Sequence, residues 1–299
     1  MIFIVKTGIR KLLYVIVFIF FKTVRYLPFS CASDLGSIAG GCVYYLPLPA
    51  RRIALTNLKR AFPDKAESEI KTIARNAFRN QGRNLFELFT FEKLTKTFID
   101  EHILFEGKKS LEEAFRKGKG ILYLCAHFGN WELMGAGLSL WGYPINVIAR
   151  KIYINEINNM LVHLRNSAGV QVILRSEPQS AKKILRALKR NEVIGMLIDQ
   201  DARVPGVMVN FFGIPACTPS GLAALAVKSS AAVVSGFLIR NKHKHRLEIT
   251  GPLEVINTGN YENDILQNTQ NFTNIIEKYI RMYPEQWVWM HERWKTIKN

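Results

Sequence analysis

The chain has 299 residues, with 41 Lys and Arg against 24 Asp and Glu, for a net charge of +17. That length suits one large α/β domain with a terminal appendage, and the charge calls for an anionic partner. No nucleic-acid-binding motif occurs, and the aromatic residues gather in apolar contexts instead of alternating with basic ones, which excludes nucleic acid in favour of a membrane surface.

Residues 1–29 read as a membrane anchor. Leu12 to Phe21 is an apolar run between Lys11 and Lys22. As helix it measures about 15 Å, short of a hydrocarbon core of roughly 30 Å. Two readings stand: a span from Leu12 to Phe29, with Lys22 and Arg25 snorkelling and Pro28 ending the helix, or a helix lying on anionic lipid. The second rests on Lys6, Arg10, Lys11, Lys22 and Arg25 sharing an arc of roughly 160°. A cleavable leader is not expected, because Lys22, Arg25 and Pro28 interrupt the region where small residues would mark a cleavage site.

Residues 30–299 make the main domain, with a helical lead-in over 50–94: Arg51 to Phe62, a stop at Pro63, then Ala66 to Phe91. Ser110 to Arg116 is a short helix broken by Gly118 and Gly120. Strands follow at Ile121–Ala126, Val147–Arg150, Gln171–Leu174 and Val193–Ile198, alternating with helices at Trp131–Leu140, Ile154–Ala168 and Gln179–Lys189. Ser220–Ser229 is helical. Ala232–Ile239 and Arg246–Thr250 form an antiparallel edge hairpin around a basic turn whose His243 and His245 are solvated, and Asn260–Met282 is a long helix. This alternation gives an α/β fold with a mostly parallel central sheet covered by helices. Cys31, Cys42, Cys125 and Cys217 lie too far apart for a metal site and read as free thiols of a reducing compartment; neither metal nor cofactor is expected.

The most informative stretch is His127-Phe128-Gly129-Asn130-Trp131-Glu132, where a continuous apolar strand runs into a helix start. Such strands deliver functional side chains at their carboxyl ends, and His127 stands there. Gly129 permits a tight turn, Asn130 is a good N-cap, and Glu132 falls in the first helical turn, from which its carboxylate can fold back toward the imidazole. His127 then serves as general base for a hydroxyl attacking an acyl thioester, Glu132 fixes its tautomer, and free amides at Gly129 and Asn130 steady the oxyanion. Read blandly, His127 caps the strand and Glu132 complements the helix dipole. Cys125 lies two residues before His127, but its place within the strand argues for burial over a nucleophilic role.

The hexapeptide resembles the motif of the bacterial lipid A late (secondary) acyltransferases of the lysophospholipid acyltransferase superfamily. Further segments match in order: Arg51-Arg52 with Asn57-Leu58, Asp199-Gln200, Phe211-Phe212-Gly213, and Pro284 to Trp289 with Arg293-Trp294-Lys295. The superfamily's commoner motif ends in Asp, and Glu132 lengthens that reach. The resemblance implies an enzyme that moves a fatty acyl chain from acyl carrier protein to a hydroxyl of a lipid A precursor. It also implies an uncleaved anchor, with the catalytic domain on the cytoplasmic side of the bacterial inner membrane.

Arg150 and Arg165 are candidates for substrate phosphates, Arg165 equally for pairing with a carboxylate. Arg150 is expected to end a strand next to the one carrying His127. Asp199, with Gln200, orients a cation or loop of the site or accepts a strand-end hydrogen bond. Phe212, with Phe211 and Gly213, lines an acyl channel or fills core. The alternatives are an acyltransferase using acyl-CoA and another glycolipid or phospholipid acceptor, and a non-catalytic lipid-binding relative.

Overall fold

The computed structural model describes residues 14–298. In chain order the helices are α1 (14–24), α2 (Phe29–Tyr45), α3 (Pro49–Ala61), α4 (Glu67–Leu88), α5 (Lys96–His102), α6 (Lys108–Arg116), α7 (Trp131–Leu140), α8 (Asn155–Ser167), α9 (Ser180–Lys189), α10 (Gly221–Lys228) and α11 (Tyr261–Met282). The strands are β1 (Ile103–Glu106), β2 (Ile121–Cys125), β3 (Ile145–Ala149), β4 (Gln171–Leu174), β5 (Val193–Leu197), β6 (Gly206–Phe211), β7 (Ile214–Pro219), β8 (Ala232–Asn241) and β9 (Lys244–Thr250).

Seven strands form one sheet in the order β1-β9-β8-β2-β5-β3-β4, and β6 and β7 pair as a separate hairpin. β8, β2, β5, β3 and β4 run parallel, β9 is antiparallel to β8, and β1 is parallel to β9. The expected α/β class, mostly parallel, is what the chain adopts. β2 is central and buried along its whole length. Its side chains alternate between two packed layers, as the two-residue period of a strand requires. Leu122 and Leu124 join Phe272, Ile276 and Trp287, whereas Ile121, Tyr123 and Cys125 join Leu133 and Leu138.

Three expectations change. The β8–β9 hairpin is not at the edge, because β1 covers β9; His245 is consequently buried at 3 % exposure instead of solvated. Arg150 follows β3, which neighbours β5 and β4, so one strand separates it from β2. At the amino end, helix α1 gives way to a turn after residue 24, and Pro28 stands at the N-cap of α2. Arg25 does not snorkel but pairs with Glu92 at 2.7 Å, and Phe21 and Val24 are buried. The Phe20 and Phe21 rings pack on Phe86 and Phe89. Among the described residues no helix is long and apolar enough to cross a membrane; residues 1–13 of the expected anchor lie outside them.

Over 49–88 the chain forms α3 and α4, and α2 packs against α4 with backbones nearly touching. A Cβ on Gly82 would stand 2.0 Å from the Gly36 carbonyl oxygen, so this crossing requires glycine.

Candidate active site

Cys125 of β2 and Leu197 of β5 are paired in register. Two residues beyond each strand end stand His127 and Asp199, and the register brings them side by side. The His127 amide donates to Asp199 Oδ2 at 3.0 Å, and His127 Nδ1 lies 2.9 Å from Oδ1. Trp287 Nε1 donates to Oδ2 at 2.7 Å. Asp199 is 2 % exposed. Burial alone would raise its carboxyl pKa, but the charge and hydrogen bonds of His127 and the Trp287 bond outweigh it and hold the group below the ordinary value. A carboxylate accepting at Nδ1 puts the proton on that nitrogen and leaves the Nε2 lone pair facing away. The imidazole is partly exposed, and among the described residues no group bonds Nε2.

Glu132 does not reach the imidazole. Its carboxylate is taken by the Arg165 fork, Nε to Oε2 at 2.8 Å and Nη2 to Oε1 at 2.6 Å. Planar guanidinium and carboxylate match as two parallel bonds, a geometry an imidazole cannot offer. Burial raises the Glu132 pKa and Arg165 outweighs it, so the pair is charged. Trp131 Nε1 also donates to Glu132 Oε1 at 3.2 Å, and the Trp131 ring sits edge-on to His127 with centroids 5.2 Å apart. Glu132 therefore touches His127 only through Trp131. Arg165 takes the carboxylate-pairing alternative.

The turn between β2 and α7 needs Gly129: its φ is +56°, and a Cβ there would lie 1.8 Å from the Leu238 carbonyl oxygen. Its amide is not free for an oxyanion, because it donates to the Gln286 carbonyl at 2.8 Å. Asn130 is the N-cap of α7, accepting from the Leu133 amide at 2.9 Å. Cys125 is buried, and burial pushes its thiol pKa far up, with Asp199 adding to the shift.

The remaining candidates scatter. Arg150 is exposed beyond β3. Together with Lys151, with Arg175 after β4 and with Arg203 after β5, it forms a rim of cations at the same end of the sheet, none in an ion pair among the described residues. Gln200 is half-buried next to Asp199. Phe212 and Gly213, both at positive φ, make the turn of the β6–β7 hairpin. The Phe212 amide donates to Glu277 at 2.6 Å, and its ring packs on Phe62 and Trp289, so it fills core.

The sequence marks Trp287 only as part of a segment matching the family, with no role at Asp199, and gives no role to Asn84, Glu87 or Arg240, which are buried behind the turn. The signal available was two polar residues, Asn84 and Glu87, spaced to share a helix face with the apolar Leu88.

The family model for bacterial lipid A biosynthesis acyltransferase matches residues 4–296. The chain is 29% identical over 284 residues to the lipid A biosynthesis palmitoleoyltransferase of Escherichia coli (strain K12), covering 90% of this chain and 87% of that protein. It is 25% identical over 283 residues to the lipid A biosynthesis lauroyltransferase of the same organism, covering 90% and 87%. Its likeness to the phosphatidylinositol mannoside acyltransferase of Mycobacterium tuberculosis (strain ATCC 25618 / H37Rv) is 24% over 190 residues, covering 63% and 58%.

Proposed function

The chain belongs to the bacterial lipid A biosynthesis acyltransferase family, and on that premise we propose that it transfers a fatty acyl chain directly from acyl carrier protein to a hydroxyl of a lipid A precursor. The single observation that carries the mechanism is the His127–Asp199 pair, with Nε2 left open and a half-buried Glu132–Arg165 pair following the same turn.

The acceptor hydroxyl gives its proton to His127 Nε2 as its oxygen attacks the thioester carbonyl. Asp199, already ionised, stabilises the imidazolium that forms, as the third member of a hydrolase triad does. The tetrahedral intermediate collapses by breaking the carbon–sulfur bond, and the imidazolium returns the proton to the leaving thiolate. Glu132, held by Arg165, acts on the imidazole by its charge and by fixing Trp131, whose ring borders His127. No covalent acyl-enzyme is needed, and Cys125 is too buried and too weakly acidic to supply one.

Arg150, Lys151, Arg175 and Arg203 supply the cationic rim for phosphates of the acceptor or of the carrier's phosphopantetheine. The relatives named for lipid A biosynthesis support that acceptor over phosphatidylinositol mannoside, because they match more of the chain. We place the enzyme on the cytoplasmic face of the inner membrane. Ile16 and Ile19 of α1 and Ile38 of α2 are exposed. Arg51, Arg52 and Lys59 of α3 line an open groove of about 520 Å³. Exposed apolar side chains and unburied cations both suit an anionic lipid surface.

The deciding experiment incubates purified protein with acyl carrier protein thioester and a lipid A precursor and reads products by mass spectrometry. A mass gain of one acyl chain, lost in His127→Ala, is expected. Transfer only from acyl-CoA, or only to another lipid, would move the assignment to that donor or acceptor; no transfer to any lipid would refute it.

A further inference from the structure

Behind the turn that follows His127 lies a buried polar network that the mechanism does not use. Arg240, on β8, grips Glu87 of α4 through two bonds, Nη1 to Oε1 at 2.6 Å and Nη2 to Oε2 at 2.8 Å. Its Nη2 also donates to Asn84 Oδ1 at 2.8 Å. Glu87 Oε2 accepts from Asn130 Nδ2 at 2.6 Å, and Asn84 Nδ2 donates to the Gly129 carbonyl at 2.6 Å. Gln286 closes the circuit: its side chain accepts from the Arg240 amide and donates to the Arg240 carbonyl, while its own carbonyl accepts from the Gly129 amide. All five side chains are buried.

Both backbone polar atoms of Gly129 and both side-chain polar atoms of Asn130 are thus bonded, by α4, by the 284–286 turn and by the Leu133 amide of α7, while Arg240 of β8 holds the α4 and 284–286 partners from behind. A buried ion pair is weak evidence for stability, since apolar residues of equal volume serve as well or better. Among the described residues Arg240 Nε is left without a partner, but the two guanidinium Nη groups, Glu87, Asn84, Asn130 and Gln286 are all engaged, and what their bonds fix is the segment between the base and the helix that carries Glu132.

We propose that Glu87 and Arg240 are positioning residues, which through Asn84 and Asn130 hold the Phe128–Asn130 turn, and with it His127 and α7, in the geometry that acyl transfer requires. This rests on the acyl-transfer reading for its kinetic consequence and on geometry alone for its structural one.

The test uses two full-length variants. E87M/R240M removes both charges while keeping volume, and N130S keeps the helix cap while deleting the donor to Glu87. Each is assayed for kcat, KM, thermal midpoint and amide hydrogen exchange over 127–133. The expected result is a folded protein in which kcat falls about 10- to 100-fold, KM moves less than about threefold, and exchange over the turn accelerates at least about tenfold. Wild-type kcat and wild-type exchange in either folded variant would overturn the proposal. Should E87M/R240M fail to fold, N130S alone decides. If the unmutated protein transfers no acyl chain, the functional reading fails, and the exchange measurement still decides whether the network holds the turn.

Discussion

Arg165 holds Glu132 by two parallel bonds, 2.6 and 2.8 Å long, with side chains only 18 % and 14 % exposed. The carboxylate is thereby committed, and it acts on His127 by its charge across space and through the ring of Trp131, without a hydrogen bond to the imidazole. Glu132→Gln keeps the shape but leaves Arg165 without a counter-charge. Breaking one side of such a pair costs about 3 kcal/mol, at the lower end of the buried range because the pair is not sealed from water. A lowered thermal midpoint together with roughly tenfold or greater loss of kcat is expected, with acceptor affinity little changed. A lowered midpoint at unchanged kcat would reduce the pair to a structural role.

Asp199 receives three donors: the His127 amide, His127 Nδ1 and Trp287 Nε1. Asp199→Asn keeps the size but presents an amide donor to at least one of them and cannot stabilise an imidazolium. Turnover should drop by roughly 10²–10⁴, with KM for the acyl donor nearly unchanged. His127→Ala should lose at least as much. Steady-state kinetics of the two variants check this; a nearly active Asp199→Asn would return the role of partner to another group.

The strands that carry the site were legible because an unbroken apolar run such as Ile121 to Ala126 is stable only where both faces are covered. Their neighbours were not. Asp199 is 72 positions from His127, and only the pairing of β2 with β5 makes them adjacent, whereas Glu132 drew the reading by being close in sequence. The same blindness hid β1, whose four residues carry no usable alternation, and so left β9 and His245 at a false edge. Phe212-Gly213 read as lining or core because nothing in the pair announces a turn until both adopt positive φ.

His245 gives a pH dependence whose sign follows from its burial. Desolvation first, and then the Arg240 charge, pull its pKa from 6.5 down to about 3. As pH falls through 6.5 the unfolded chain takes up a proton that the folded one refuses, so stability is full above that value and declines toward pH 3. The carboxyls of Asp199, Glu87 and Glu132 are lowered, and their contribution is lost only below the ordinary values of 3.8 and 4.5. Burial also lowers the pKa of His291, so between pH 7 and 5 the loss should come from both histidines, with His245 supplying on the order of a kcal/mol or two. Urea unfolding at both pH values should show that loss in the unmutated protein and much less of it in His245→Leu; equal losses would place the proton uptake elsewhere.

Cys125→Ala tests the direct transfer. The thiol is buried in β2 and bonds only weakly to the Met196 carbonyl, at 3.5 Å. The substitution should cost about 1 kcal/mol of packing and leave kcat within about threefold. Loss of turnover by orders of magnitude in a folded variant would reinstate an acyl-enzyme.

Membrane binding divides the anchor readings. The exposed apolar side chains of α1 and α2 and the groove cations Arg51, Arg52 and Lys59 favour a protein lying on the lipid surface. Each basic residue near an anionic surface contributes about 1 kcal/mol, so R51S/R52S/K59S should weaken binding to anionic vesicles about 100-fold and leave binding to neutral vesicles nearly unchanged. Alkaline carbonate should release most of the intact protein from membranes. Retention until detergent is added, with no effect of the triple substitution, would instead mean that the chain from residue 1 onward is inserted across the bilayer and that the groove faces something other than lipid.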